Sequence, residues 1–166
     1  MPKNLEIERK YLIAMPDERE LLSQPGVICD TIVQTYLLAD DGVTARVRAR
    51  CGENGTVYTA TEKRHLSELT AIEDERIVTE EEYRALLARR DPALRSIEKR
   101  RYTIPYGGHL LEIDIYPFWS RQAVLEVELP NEEAVIHLPP YIEILREVSG
   151  ERRYKNVSLA KNIPEE

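Results

Sequence analysis

The chain has 166 residues, with 23 Lys or Arg against 30 Asp or Glu and a formal net charge of −7. This length fits one domain with a real hydrophobic core. The acidic balance excludes a general nucleic-acid binder, whose surface would be basic, and no apolar run is long enough to span a membrane. Met1–Asn4 lead directly into a charged strand without a signal peptide, and Cys29 and Cys51 have neither metal-site nor disulfide spacing. We therefore expect a cytoplasmic protein with reduced thiols.

The first half of the chain reads as strands joined by tight turns. Strands are predicted at 5–13, 29–39, 44–50, 57–64 and 70–78. Asp40-Asp41-Gly42 and Glu53-Asn54-Gly55 are turn signals between them. A short helix is predicted to begin at Pro16-Asp17-Glu18, because proline suits the first turn and acidic groups favour the helix dipole.

The second half begins with the best helix signal in the chain. Thr79 and Glu82 have capping-box spacing, and Asp91-Pro92 ends the helix. Strands are predicted at 95–104, 110–116, 123–129 and 142–148, a helical turn at 131–133, and a closing helix at 154–162. We therefore expect a mostly β (α+β) fold of about eight strands and two or three helices. No linker or repeat interrupts it, so residues 1–166 form a single domain.

The first strand places Glu6, Glu8 and Lys10 on one face, because side chains alternate along a strand. Carboxylates two residues apart lie roughly 6 to 7 Å from each other. They repel by about 2.5 kcal/mol at an effective dielectric of about 20. A divalent cation would turn this repulsion into attraction, since hard cations bind carboxylate oxygens. The alternative is the solvated face of an amphipathic strand.

The same alternation recurs along most of the other strands. Their charged or hydroxyl faces carry Thr44, Arg46, Arg48, Arg50, Thr59, Thr61, Lys63, Glu73, Glu75, Lys99, Arg101, Thr103, Glu112, Asp114, Glu126 and Glu128. Two architectures fit: an open sheet with this face in water, or a closed barrel with a charged lumen and helices outside. In a lumen, basic groups would bind phosphate oxygens and carboxylates would bind Mg²⁺ or Mn²⁺. The pattern alone does not choose between them.

Glu6-Ile7-Glu8-Arg9-Lys10 resembles the ExExK signature of the CYTH superfamily, the triphosphate tunnel metalloenzymes. Further segments fall in the order of that family: Gln34–Leu37, Arg46–Arg48, Thr61–Lys63, Glu73–Glu75, Lys99–Tyr102, Glu112–Asp114, Glu126–Glu128 and the ending 147–156. A single ExExK would be a weak signal. The ordered set covers almost the whole chain and is much more specific.

The resemblance implies an eight-stranded antiparallel closed barrel around a tunnel, and a triphosphate hydrolase that uses Mg²⁺ or Mn²⁺, two ions per site. Glu6, Glu8 and Glu128 would hold one ion, and Asp114, Glu126 and Glu128 the second. Lys10, Arg46, Arg48, Lys63, Lys99 and Arg101 would bind the substrate, and Lys99, Glu126 and Glu128 are the catalytic candidates. Ala71 stands where many relatives carry an inward arginine, so one contact is expected to be missing.

The resemblance favours an inorganic tripolyphosphatase, in which a metal-activated water attacks a bound phosphate. A class IV-type adenylate cyclase, a thiamine triphosphatase and a non-catalytic polyphosphate- or nucleotide-binding module are the alternatives. A cyclase would need a base site, for which His65, Phe118 and Trp119 are weak candidates. The expected partner is a small-molecule triphosphate, with no nucleic acid and no membrane. Apolar outer strand faces need cover from helices or from a second subunit in a homodimer.

Overall fold

The computed structural model of the protein describes residues 4–166. Its strands are β1 Leu5–Ala14, β2 Ile28–Leu37, β3 Thr44–Gly52, β4 Gly55–His65, β5 Thr70–Val78, β6 Ile97–Tyr106, β7 His109–Ile115, β8 Gln122–Glu128 and β9 Ile144–Glu147. Its α-helices are α1 Glu18–Leu22, α2 Glu80–Leu86 and α3 Asn156–Leu159, with 3₁₀ turns at Leu87–Arg89 and Arg152–Tyr154. The predicted absence of a signal peptide rests partly on Met1–Lys3, which lie outside the described residues. No helix within residues 4–166 has the length and apolar character that a membrane crossing requires.

The sheet closes on itself through β1. The strand order is β5-β4-β3-β2-β6-β7-β8-β1-β9, and β5 also pairs with β1. The start of β1 pairs antiparallel with β5, as in Glu6 opposite Ala71. The rest of β1 pairs with β8, as in Lys10 opposite Glu126. Strands β1 to β8 therefore form the predicted closed antiparallel barrel, and β9 is an extra strand beside β1.

The main hydrophobic core lies outside the barrel wall. Its buried residues are Ile13, Leu21, Tyr102, Ile104, Leu111, Ile113, Ile115, Ala123, Leu125, Val127, Leu129 and Ile142. Fully burying one such aliphatic side chain stabilises the fold by about 1.5–3 kcal/mol. Helix α1, through Leu21, and the segment from Leu129 to Ile142 cover this side of β1, β6, β7 and β8. On this side of the barrel, the chain itself thus covers the outer apolar face, for which the sequence allowed either helices or a second subunit.

Helix caps confirm the two strongest helix signals. The Asp17 side chain accepts a hydrogen bond from the backbone N–H of Arg19 at the start of α1. Thr79 and Glu82 form the predicted capping box of α2. At 131–133, where one helical turn is predicted, the structure has a single hydrogen-bonded turn and no helix: the backbone N–H of Ala134 donates to the carbonyl of Asn131, and the Asn131 side chain accepts from the backbone N–H of Glu133.

The sequence pattern predicts a charged barrel interior, but part of the interior is apolar. A second buried cluster contains Leu12, Tyr36, Ile97, Tyr116, Trp119, Val124, Val148, Tyr154, Leu159 and Ala160. Leu12 and Val124 lie two residues beyond Lys10 and Glu126, on the same strand faces. The inward rows therefore change from charged to apolar where the C-terminal segment packs into the barrel.

Candidate active site

The charged faces enclose a cavity of about 790 Å³. Of the residues predicted to form the site, its wall contains Glu6, Glu8, Lys10, Arg46, Arg48, Lys63, Arg101, Glu126 and Glu128. Glu73, Glu75, Glu112 and Lys155 also line it. The structure thus brings together acidic and basic groups from seven barrel strands. The remaining two predicted residues, Lys99 and Asp114, are not part of the cavity lining within residues 4–166.

Lys63 lies among three carboxylates. Its Nζ is 2.6 Å from Glu6 Oε1, 3.7 Å from Glu8 Oε1 and 3.9 Å from Glu73 Oε2. Register explains the contacts, because Lys63 is directly opposite Glu73 and closure of β5 onto β1 adds the glutamates of β1. Burial opposes the charged form, but Glu8 and Glu6 outweigh it and raise the pKa of Lys63. This lysine therefore stays protonated at neutral pH, on the acidic side of the cavity.

Lys10 and Glu126 form a second cross-strand pair. They are directly opposite on β1 and β8, and Lys10 Nζ lies 3.3 Å from Glu126 Oε1. The same ammonium donates to the backbone carbonyl of Tyr154. Burial opposes ionisation of Glu126, but Lys10 and Arg101 outweigh it and keep the pKa of this carboxyl well below its usual range. Glu126 is thus an anion at neutral pH, available as a ligand once Lys10 moves.

Asp114 lies one layer deeper and is held by two cations. Arg101 donates to its two oxygens from Nε at 2.7 Å and from Nη2 at 2.8 Å, and its Nη1 donates to Glu112 at 2.7 Å. Lys99 Nζ lies 2.7 Å from Asp114 Oδ2. Burial opposes ionisation of Asp114, but Arg101 and Lys99 lower its pKa to about 2. Both carboxylate oxygens are therefore engaged by the protein's own cations.

Lys99 is the most deeply placed of the predicted basic residues. Its side chain has no exposed surface, and its Nζ makes no well-aligned hydrogen bond within residues 4–166. Burial lowers the pKa of Lys99 to about 7, because the favourable charge of Asp114 does not offset desolvation and the guanidiniums of Arg101 and Arg48. Lys99 thus pairs with Asp114 behind the cavity lining, and its direct contact with substrate stays a prediction.

Arg46 and Arg48 on β3 are cations without acidic partners. Neither makes an ion pair within residues 4–166, and the Nε of each is buried without a hydrogen bond there. Gln34 accepts from Arg48 Nη2 at 2.9 Å and donates to the Tyr36 hydroxyl at 2.9 Å. Burial and the neighbouring guanidiniums of Arg46 and Arg101 lower the pKa of Arg48 to about 10. Buried positive charge with unused donors is the chemistry of an anion site.

The acidic side of the cavity has the chemistry of a cation site. Within residues 4–166, no three His, Cys, Asp or Glu side chains are close enough as they stand to hold a metal ion. The carboxylates nevertheless exceed what the lysines neutralise. Burial and then Glu126 raise the pKa of Glu8 to about 8, and burial also raises the pKa of Glu6 and of Glu128. These oxygen donors fit a hard divalent ion, which would relieve their repulsion.

The cavity lining also contains Gly150, Lys155 and His65, which are not among the predicted metal and phosphate contacts. Gly150, at φ +77°, turns the chain against Glu68, and a Cβ there would lie 2.8 Å from Glu68 Cγ. Lys155 and His65 stand nearby in the lining. Burial, with Lys155 and Lys63, lowers the pKa of His65 to about 4, so this ring is neutral at pH 7. A glycine after a short strand was the available signal for this turn.

Two of the three candidates for a base site, Phe118 and Trp119, are packing residues, whereas His65 lines the cavity. Phe118 and Trp119 stack with Tyr116, with ring centroids 5.1 and 5.5 Å from it. The Trp119 indole donates to the backbone carbonyl of Pro164. Neither ring lines the cavity within the described chain. The sequence interpretation of these residues as packing groups agrees with their positions.

Comparison with known proteins agrees with the geometry, although no family model matches the chain. An inorganic triphosphatase of Nitrosomonas europaea is 32% identical over 162 residues, covering 96% of this chain and 99% of the relative. This chain belongs to the CYTH family of triphosphate tunnel metalloenzymes. The crystal structure of an inorganic triphosphatase aligns with a TM-score of 0.60 and 30% identity, over 96% of this chain and 97% of that one. A putative adenylate cyclase from Bacillus halodurans shares the fold, with a TM-score of 0.53 at 19% identity over 80% of this chain and 84% of that one.

Membership in the CYTH family accounts for the alternation of charged and apolar side chains along the strands. The segments that carry the resemblance are those whose side chains meet in the cavity, including Glu6, Arg48, Lys63 and Glu126. The structure also shows where Ala71 lies, the residue at which the chain differs from many relatives. Ala71 is buried and lies opposite Glu6 on β1 and opposite His65 on β4. A methyl group therefore occupies the row in which the family would place a guanidinium.

Proposed function

We propose that the protein is a divalent-metal-dependent hydrolase of triphosphates, with inorganic tripolyphosphate as its preferred substrate. The observation that carries this proposal is that one cavity contains both an acidic cluster and two guanidiniums, Arg46 and Arg48, that form no ion pair among the described residues. Guanidiniums bind phosphate oxygens, and carboxylates bind the divalent ions that accompany a polyphosphate. The name of the 32%-identical relative supports the same substrate class.

The carboxylates Glu6, Glu8, Glu126 and Glu128 would hold Mg²⁺ or Mn²⁺, and we propose two ions per site. When bound, such ions supply a water of lowered pKa and neutralise charge on phosphate oxygens. Arg46 and Arg48 bind and orient the phosphate chain, because both line the cavity and neither forms an ion pair within residues 4–166. The partly buried setting weakens screening by solvent, so each of these electrostatic contacts is stronger than it would be in bulk water.

We assign Lys99 and Asp114 a positioning role. Asp114 fixes Arg101 through two hydrogen bonds and is itself fixed by Lys99. Arg101, which does line the cavity, is then presented to the substrate in one orientation. This assignment replaces the expected metal contact of Asp114 and the expected substrate contact of Lys99. Glu126 and Glu128 keep the catalytic role that the sequence gave them.

The cavity favours an inorganic triphosphate over a nucleotide or thiamine triphosphate. Its lining is dominated by charged residues, and the aromatic groups best suited to stack a base, Phe118 and Trp119, are used in packing. A non-catalytic anion-binding module would need no cluster of carboxylates. We further propose that the enzyme acts in the cytoplasm on this small molecule, with which the free thiols of Cys29 and Cys51 agree.

Purified protein incubated with tripolyphosphate, ATP and thiamine triphosphate tests the proposal. With Mg²⁺ or Mn²⁺, we expect tripolyphosphate to be hydrolysed to phosphate and pyrophosphate with the highest kcat/KM, and no turnover in excess EDTA. Cyclic nucleotide and pyrophosphate formed from ATP would favour the cyclase instead. Absence of hydrolysis of all three substrates with either metal would reject the enzyme proposal.

A further inference from the structure

The ammonium group of Lys63 occupies the position that a metal ion would need. It lies 2.6, 3.7 and 3.9 Å from oxygens of Glu6, Glu8 and Glu73. Two of these carboxylates belong to the set that would hold a divalent ion under the proposed function. A divalent ion cannot bind both Glu6 and Glu8 while the ammonium stays between them, because like charges repel at such short range.

The barrel gives Lys63 an unobstructed path to these carboxylates. Lys63 belongs to β4, and its side chain crosses β5 to reach β1, over two strand spacings of about 4.8 Å each. The residue of β5 directly opposite Glu6 is Ala71, whose side chain is a single methyl group. Because Ala71 is small, the space beside Glu6 is available to the aliphatic part of the Lys63 side chain.

Lys63 also has a second destination. It lines the same cavity as Arg46 and Arg48, which have no carboxylate partner within 4 Å among the described residues. An ammonium on a flexible four-carbon stem changes partners more readily than a planar guanidinium fixed by two hydrogen bonds. A phosphate oxygen in the cavity would offer Lys63 a partner of the same charge as the carboxylate it gives up.

We propose, building on the proposed function, that Lys63 is an exchangeable internal cation. In the metal-free protein its ammonium contacts Glu6, Glu8 and Glu73; when a divalent ion binds these side chains, Lys63 moves to a phosphate oxygen of the substrate. Metal alone must displace the ammonium, and triphosphate alone must strip the carboxylates of their only close cation among the described residues. Each ligand therefore lowers the cost of binding the other, and this coupling is reciprocal.

Titration of the protein with Mn²⁺ alone, without substrate, isolates the first half of this exchange. The test variant is Lys63→Met, which keeps the apolar stem and removes the ammonium. Lys155→Met is the matched control, because Lys155 lines the same cavity but makes no ion pair within residues 4–166. Calorimetry measures the Mn²⁺ dissociation constant of each protein, and Lys63→Gln is the second variant if Lys63→Met does not fold.

We expect Lys63→Met to bind Mn²⁺ at least tenfold more tightly than the unsubstituted protein, and Lys155→Met to differ by less than threefold. In EDTA, tripolyphosphate should bind Lys63→Met more weakly than the unsubstituted protein. Unchanged or weaker Mn²⁺ binding by Lys63→Met, or equal tightening by both variants, would overturn the inference. Because Mn²⁺ binding is measured without turnover, this result is independent of whether tripolyphosphate proves to be the substrate.

Discussion

Lys99 Nζ and Asp114 Oδ2 lie 2.7 Å apart, and neither side chain has any exposed surface. Asp114 also accepts two hydrogen bonds from Arg101, which reaches the cavity. A carboxylate shared by two cations in a dry layer fixes the guanidinium in one orientation. The ion pair is thus a support for the cavity wall.

Lys99→Met should strongly destabilise the fold. Removing one partner of a buried ion pair leaves an incompletely compensated charge, which typically costs about 3–5 kcal/mol. Arg84→Met is the control, because Arg84 and Glu80 form an exposed pair within α2 that solvent screens, so its loss should change the stability far less. Urea unfolding of both variants measures the difference. Equal losses of stability would show that burial of the Lys99 pair has no energetic role.

Glu128→Gln should abolish tripolyphosphate hydrolysis while the fold survives. The substitution removes the charge from an exposed side chain of the cavity wall and replaces one carboxylate oxygen by an amide nitrogen. We expect kcat/KM to fall by more than about 100-fold, since loss of a metal ligand should exceed the 10- to 100-fold cost of losing its supporting contacts. Glu98→Gln, on the outer face of β6, is the matched control. Activity retained by Glu128→Gln across a full metal titration would refute the assignment.

Gln34→Leu should weaken substrate binding more than turnover. Gln34 accepts from Arg48 and donates to Tyr36, so its removal frees the guanidinium to rotate. A lost hydrogen bond to a charged group is worth about 1.5–3 kcal/mol, which predicts a rise in KM of roughly tenfold or more. Steady-state kinetics with tripolyphosphate measures this. An unchanged KM would mean that Arg48 is held by the backbone of β3 alone.

The metal-free protein should lose stability as pH rises from 5 to 8. Burial and Glu126 raise the pKa of Glu8 to about 8 in the folded state, whereas an unfolded glutamate titrates near about 4.3. The folded state therefore binds the proton more tightly, and stability decreases across this window by up to about 1.4 kcal/mol per pH unit. Thermal melts in EDTA should show this slope, and Glu8→Gln should flatten it. A slope that is the same in both proteins would exclude Glu8 as its source.

Much of the fold was predictable from local patterns. Period-two alternation located the strands and assigned Glu6, Lys63 and Glu126 to one face, and the Thr79–Glu82 spacing located α2. Closure was not predictable from alternation alone, because it depends on a long-range register between the start of β1 and β5. The resemblance to a known family supplied that information.

Depth inside the barrel was not predictable either. Alternation tells which way Lys99, Asp114 and Arg101 point, but not which of them reaches the cavity. The layers depend on strand tilt and on what fills the interior beyond them. Here Tyr154 and Leu159, from the C-terminal segment, fill part of the interior. Nothing in the local sequence around them indicates that they pack there.

Each barrel strand carries the enzyme's chemistry on one set of alternate residues and the packing that stabilises it on the other. In β8, Glu126 faces the cavity while Leu125 and Val127 belong to the outer core. Evolution can therefore retune the substrate by changing every second residue without disturbing the packing. Deleting one residue within a strand would exchange the two sides at once, so changes of length in this protein should be confined to the turns.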